Sequence, residues 1–202
     1  MPQNANATPA FRKLNIWPLH TERLTLRPAE LGDSEALWRH RSLPEVGMWL
    51  GWHPVDRKDW NETYAAKHAD YLVVERDGEI IGDLMLRSGD GWGQREVKDQ
   101  AVAVQAELGW TFAPEVGGKG YATEAVAALI GMCFEHLDKH RVEAGAFAAN
   151  EPSWRLMERV GMRRESYSVK DSLHRDLGWV DGVLYAILAE EWRDRKAHQP
   201  KG

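Results

Sequence analysis

The chain reads as an α/β fold with a mixed, mostly antiparallel central sheet flanked by helices, and three stretches carry that reading. From Ala101 to Phe112 apolar and polar residues alternate. Val102, Val104, Ala106, Leu108, Trp110 and Phe112 fall on one face and Gln105, Glu107, Gly109 and Thr111 on the other, the pattern of a half-buried strand. Beyond it, Gly117-Gly118-Lys119-Gly120 leads into Tyr121-Ala122-Thr123-Glu124-Ala125 and on through Val126, Leu129, Ile130, Cys133 and Phe134, a helical spacing that buries one stripe. Earlier, Asp77-Gly78 between two apolar runs marks a tight hairpin of type I′.

The other elements follow in order. Leu24 and Leu26 alternate in a short strand that Pro28 ends, and Asp33-Ser34-Glu35 opens a helix running through Leu37 and Trp38 to about Ser42. After a stretch broken by Pro and Gly, residues 56–69 have helical composition, residues 71–75 form a strand, and the Asp77-Gly78 turn returns the chain through residues 80–86. Residues 89–93 make a loop with Trp92 at its tip. Downstream of the central helix, residues 141–149 are the next strand, residues 152–160 a short helix closed by Gly161, and two or three strands finish the chain.

At 202 residues, with 43% hydrophobic and 28% charged side chains, the chain suits one domain with a substantial core. Residues 17–192 are expected to form it, with polar, flexible ends at 1–16 and 193–202, where apolar side chains are too few to offset ordering entropy. A formal charge of −5 argues against nucleic acid or an anionic membrane as the main partner. The lone Cys133 excludes an internal disulfide framework. With no long apolar run and no apolar core near the N-terminus, the expected location is the cytoplasm. Length and composition leave both a monomer and a homodimer open.

The glycine turn carries the most chemistry. Glycines let the backbone approach a ligand closely, and the first turn of the following helix offers N–H donors without internal partners, so a diphosphate fits there. The nucleotide-triphosphate loop pattern fails because Gly120 follows Lys119 where Ser or Thr would be needed, and the dinucleotide fingerprint fails on glycine spacing.

Taken together, the strand ending in Glu107-Leu108-Gly109-Trp110-Thr111-Phe112-Ala113-Pro114, the turn from Gly117 to Ala122, and Asn150-x-x-Ser153 followed by Gly161-Met162 resemble the GNAT superfamily of N-acetyltransferases, in particular its RimJ/RimL-like branch. Glu22-Arg23-Leu24-Thr25-Leu26-Arg27-Pro28 resembles the branch's opening strand, and Trp179-Val180-Asp181 before Tyr185 its closing hairpin. Gly117 departs from the polar or basic residue usual at the first turn position.

The resemblance implies a cleft for acetyl-CoA, used as cosubstrate without a metal, where the family's fourth and fifth strands splay near Glu107 to Gly109. Pantetheine would lie along Gly109, Trp110, Thr111 and Phe112, with an amide of Gly109 or Trp110 facing the thioester oxygen. The diphosphate would lie on Gly117, Gly118, Lys119, Gly120, Tyr121, Ala122 and Thr123. Asn150 would hold a pantetheine amide, and Glu107, a carboxylate on the strand that holds the thioester, would be the base. Many relatives place a tyrosine acid where this chain has Met157, so Ser153, near the thiol in part of the branch, and Tyr185 are the candidate acids.

The implied activity is direct acetyl transfer to a primary amine, with a protein or peptide N-terminal α-amine as the leading acceptor. The alternatives are a small-molecule amine (polyamine, aminoglycoside or amino-acid-like) and a non-catalytic acyl-CoA-binding module. Trp49 and Trp52, in an aromatic stretch reaching Trp60, are candidates for an acceptor lip or for core packing. Cys133 falls on a buried helix stripe, and His136 and His140, spaced i, i+4, lack a third metal ligand in the sequence.

Overall fold

The structure is a computed structural model that describes residues 8–198. Eight strands form a mixed sheet in the order β1-β2-β3-β4-β5-β6-β8-β7, flanked by helices. The chain divides into two compact units, one made of residues up to Arg87 with Trp110–Lys119, the other of Ser88–Gly109 with Gly120 onward.

In the first unit β1 (Leu19–His20), β2 (Thr25–Pro28), β3 (Tyr71–Arg76) and the first part of β4 (Glu79–Gly89) pair antiparallel in sequence order. Asp77 and Gly78 both take positive φ, 53° and 82°, as a type I′ turn requires. Helices α1 (Ser34–Arg41), α2 (Pro44–Gly47) and α3 (Arg57–Lys67) cover this part of the sheet. Asp56 caps α3 by accepting the Asp59 amide at 2.8 Å. Trp60 and Tyr64 of α3, Leu37 of α1, Ala29 and Val73 form one buried cluster.

Residues 8–16 are not the loose polar end expected from composition. Phe11 is buried, and Arg12 donates to the carbonyls of Ala29, His68 and Ala69 at 2.5–2.8 Å, so one apolar anchor and one guanidinium tie the segment down. The same correction applies to residues 193–198, which continue α6 (Ala189–His198) and are held by the Lys196–Glu135 ion pair and by Trp192 packing on Phe134. The rest of both expected tails, 1–7 and 199–202, lies outside the described residues.

In the second unit, β5 (Gln105–Phe112) enters parallel to β6 (Arg141–Phe147), which pairs antiparallel with β8 (Gly178–Leu188), itself paired with the edge strand β7 (Arg163–His174). Helix α4 (Tyr121–His136) and α5 (Glu151–Arg159) complete it. The strand expected from Ala101 begins only at Gln105. Residues 95–101 form a 3₁₀ turn, and Ala103 adopts φ 54° with its amide on Asp90 and its carbonyl on the Lys139 Nζ. Lys139 is buried and also reaches Ser88 at 2.8 Å, so a long-range contact overrides the local alternation. Helix α4 stops at His136, and the His140 amide donates instead to the Val104 carbonyl, so the two histidines do not share a helix face. Burial pushes the Cys133 thiol up to about 12, as suits a packed hydrophobe.

Candidate functional site

The parallel ladder between β5 and β6 has three register pairs and ends at Glu107 opposite Glu143, although β6 runs on to Phe147 and β5 to Phe112. Burial along β5 changes phase at the same place. Ala106 and Leu108 are buried, then Thr111 and Ala113, while Trp110 and Phe112 are half-exposed. Trp110 and Phe112, which the alternation puts on the packed face, are thus less buried than Thr111 and Ala113.

In the first unit, the Ala113 amide donates to the Ile81 carbonyl at 2.9 Å and the Thr111 carbonyl lies against Gly82. Any Cβ at residue 82 would come within 2.6 Å of that oxygen and of the Phe112 ring, so glycine is what permits β4 and β5 to close here. Because backbone groups alternate sides along a strand, Trp110 and Phe112 turn theirs to the opposite edge.

The turn after β5 is built in two steps. Pro114–Val116 makes one 3₁₀ turn, and the Gly117 amide closes it on the Pro114 carbonyl at 3.0 Å. Gly118 and Gly120 then take φ 74° and 81°, the left-handed region, which lets successive amides converge without Cβ interference. The Lys119 Nζ folds back to the Glu115 carbonyl, and the Lys119 carbonyl accepts from Arg23 at 3.0 Å, a tie across 96 positions that no local pattern reports. Gly120 is the N-cap of α4 and offers no side-chain acceptor to the helix. The first helical bond runs from the Glu124 amide to the Gly120 carbonyl. Among the described residues, no protein acceptor meets the amides of Gly118, Lys119, Gly120, Ala122 and Thr123, which leaves a row of donors at the positive end of a 16-residue helix. Tyr121 packs its side chain inward, and Thr123 accepts from Arg159 at 3.3 Å.

In the second unit the Glu107 side chain is exposed and, among the described residues, has neither a cation nor a hydrogen-bond partner. Its register neighbour differs. Glu143 is bound by Arg141 at 3.1 Å, and the same guanidinium takes Glu165. Asn150 stands at the N-cap of α5 without a side-chain capping bond, and its carbonyl receives the Ser153 amide at 3.1 Å. Ser153 is therefore not the cap, and its half-buried hydroxyl meets no protein partner among the described residues. Met157 is fully buried. Tyr185 is also buried, pairs with Ala144 across the sheet and donates to Glu158 at 3.0 Å. Burial and that hydrogen bond raise its pKa, which keeps the phenol protonated.

In the first unit Trp52 is half-buried and stacks on Trp60 at 5.9 Å and 8°, and Trp49 is also half-buried. Trp52, Trp60, Tyr64, Tyr71 and Arg41 line a narrow cavity between α1 and α3. At its floor Arg41 donates to the completely buried Asp83 at 2.9 and 2.5 Å, with His40 at 3.3 Å from the same carboxylate. Burial opposes the charge on Asp83, but the Arg41 charge and the hydrogen bonds from Arg41 and His40 outweigh it and hold the carboxyl below the usual carboxylate range. The sequence reading missed this buried cluster. Its one signal was a charged residue inside an otherwise apolar strand.

The profile of the acetyltransferase (GNAT) domain matches residues 23–163. The N-acetyltransferase YnaD of Bacillus subtilis is 30% identical over 85% of this chain and 97% of its own length. The ribosomal protein uS5 alanine N-acetyltransferase of Escherichia coli is 34% identical over 42% of this chain and 43% of its own length. The structure of Mycobacterium smegmatis RimJ in complex with CoA-disulfide superposes with a TM-score of 0.68 at 29% identity, covering 83% of each chain. GNAT enzymes use acetyl-CoA, and the donor row at α4 together with the glycine-permitted β4–β5 contact is chemistry suited to it. The chain belongs to the GNAT acetyltransferase family, resembles its RimJ-like members, and is an acyltransferase.

Proposed function

We propose that the protein transfers the acetyl group of acetyl-CoA directly to an α-amine at a protein or peptide N-terminus. The observation that carries this reading is the row of amides of Gly118, Lys119, Gly120, Ala122 and Thr123 that meet no protein acceptor among the described residues, a seat for the CoA diphosphate at the start of α4. Pantetheine then extends along the outward-turned backbone of Trp110 and Phe112, with its far amide on the uncommitted carboxamide of Asn150. An amide of Gly109 or Trp110 stabilises the oxygen that becomes negative as the amine attacks.

Glu107 takes the ammonium proton, directly or through one water, since it is the carboxylate of this strand and meets no cation among the described residues. As the carbon–sulfur bond breaks, the Ser153 hydroxyl, which meets no protein partner among the described residues, donates a hydrogen bond to the departing thiolate, which takes its proton from solvent. Tyr185, buried and engaged with Glu158, holds α5 in place. Trp52, with Trp49, borders the acceptor. An α-amine, with a pKa of about 7.7–8.0, is about a tenth neutral at pH 7 and needs one modest base, whereas a lysine at about 10.4 needs far more. The partial likeness to an enzyme named as an alanine N-acetyltransferase of ribosomal protein uS5 supports a protein acceptor.

An acceptor panel followed by thiol release tests the reading. Peptides with free α-amines should turn over, and the same peptides blocked at the N-terminus should not. Turnover confined to polyamines, aminoglycosides or free amino acids would replace the proposed acceptor while leaving the cofactor assignment in place.

A further inference from the structure

The contact that reaches the glycine turn from Arg23 ends on a peptide plane whose direction decides what an anion meets. Arg23 Nη1 donates to the Lys119 carbonyl at 3.0 Å. In a trans peptide the carbonyl and the following N–H point in opposite directions, so this hydrogen bond also directs the Gly120 N–H, away from the guanidinium. That N–H meets no protein acceptor among the described residues.

The plane needs holding. Turning it over as a unit changes chiefly ψ of Lys119, which has two broad wells, and φ of Gly120. At Gly120 the present φ of 81° and a reversed value of about −100° are both open to a residue without a Cβ. Turned over, the plane would place the Lys119 oxygen where the Gly120 N–H now points, and the negative end of a carbonyl repels a phosphate. The freedom that lets glycine build the turn also lets the turn invert.

Arg23 supplies the restraint from a fixed base. It sits between β1 and β2, where the Thr21 amide donates to the Leu24 carbonyl at 2.9 Å and the Thr21 hydroxyl accepts from the Leu24 amide at 3.0 Å. Leu24 is buried, which anchors this short connection in the sheet. The Lys119 side chain itself folds back on the Glu115 carbonyl, and no backbone amide among the described residues reaches the Lys119 oxygen. We infer that Arg23 is a positioning residue for the CoA diphosphate: it holds the Lys119–Gly120 peptide plane so that the Gly120 N–H, and not the Lys119 carbonyl, faces the anion. This rests on the diphosphate seat proposed above.

Calorimetric titration of Arg23→Met and Arg23→Lys with CoA and with dephospho-CoA tests it. Arg23→Met removes the donor and should bind both ligands about tenfold more weakly than the wild type, the loss of one charge-assisted hydrogen bond, with an unchanged melting temperature. Arg23→Lys, which keeps a cationic donor, should recover most of that affinity. In ligand-free Arg23→Met, relaxation dispersion at the Lys119 and Gly120 amides should show microsecond-to-millisecond exchange that the wild type lacks. Wild-type affinity in Arg23→Met would overturn the inference and leave the diphosphate seat standing, whereas a wild type that binds no CoA would remove both. A loss for CoA but not for dephospho-CoA would make Arg23 a ligand of the 3′-phosphate. A loss for both without exchange in the free turn would make it a direct ligand of the diphosphate, and either result would overturn the positioning role.

Discussion

The glycine turn at 117–120 and the aromatic wall around α1 and α3 both bear candidate binding groups, but they present them in opposite ways. At the turn the chemistry belongs to the backbone: left-handed Gly118 and Gly120 aim amides outward, and side-chain identity matters mainly by its absence. At the wall it belongs to side chains held by distant partners: Trp52 on Trp60, Tyr64 on the Glu30 carbonyl, Arg41 on Asp83. A backbone site is set by local conformation and so is written in consecutive residues. A side-chain site is set by tertiary packing and is scattered through the sequence.

The largest expected effect sharpens this contrast at the wall. Asp83→Ala leaves Arg41 charged and unpaired in the interior and should cost about 3–5 kcal/mol in a denaturant titration, while a surface pair such as Lys58–Glu62 should cost less than about 1 kcal/mol. The pH dependence has a fixed sign. The folded-state pKa of Asp83 is lowered, so its contribution is fully present above the unfolded value of about 3.9 and is lost as pH falls through the folded value. Wild-type stability should therefore fall more steeply in that acid range than stability of Asp83→Asn.

Next in size is an effect on chemistry alone. Glu107→Gln should lower kcat at least about tenfold, or about 1.4 kcal/mol on the barrier, with CoA affinity unchanged. Unchanged turnover would remove Glu107 from the mechanism. A smaller effect should separate the two regions directly. Trp52→Ala should raise the acceptor KM several-fold and leave CoA affinity untouched, and a drop in melting temperature without a KM change would make Trp52 a packing residue only.

The sequence made the turn legible because Gly118 and Gly120 sit where positive φ is needed, and the helix after it because its apolar stripe is regular. The hairpin at Asp77-Gly78 was legible for the same reason. Failures came where distant groups decide. Ala103 is bent by Asp90 and Lys139, so the strand begins four residues later than the alternation starts. Trp110 and Phe112 are less buried than Thr111 and Ala113, a difference in what covers the strand that alternation alone does not encode. The polar composition of residues 8–16 concealed the anchoring of Phe11 and Arg12, whose partners lie in the loops after β2 and α3.

Calorimetric titration of CoA into the wild-type chain and into Gly120→Val tests the central claim most directly. A β-branched residue at φ 81° strains the cap by about 1–2 kcal/mol and so disturbs the backbone conformation that presents these amides. The wild type should bind CoA saturably, and Gly120→Val should bind it at least about tenfold more weakly while remaining folded, a difference of about 1.4 kcal/mol. No heat with the wild type, or equal affinity in the two proteins, would contradict a diphosphate seated on the amides that open α4.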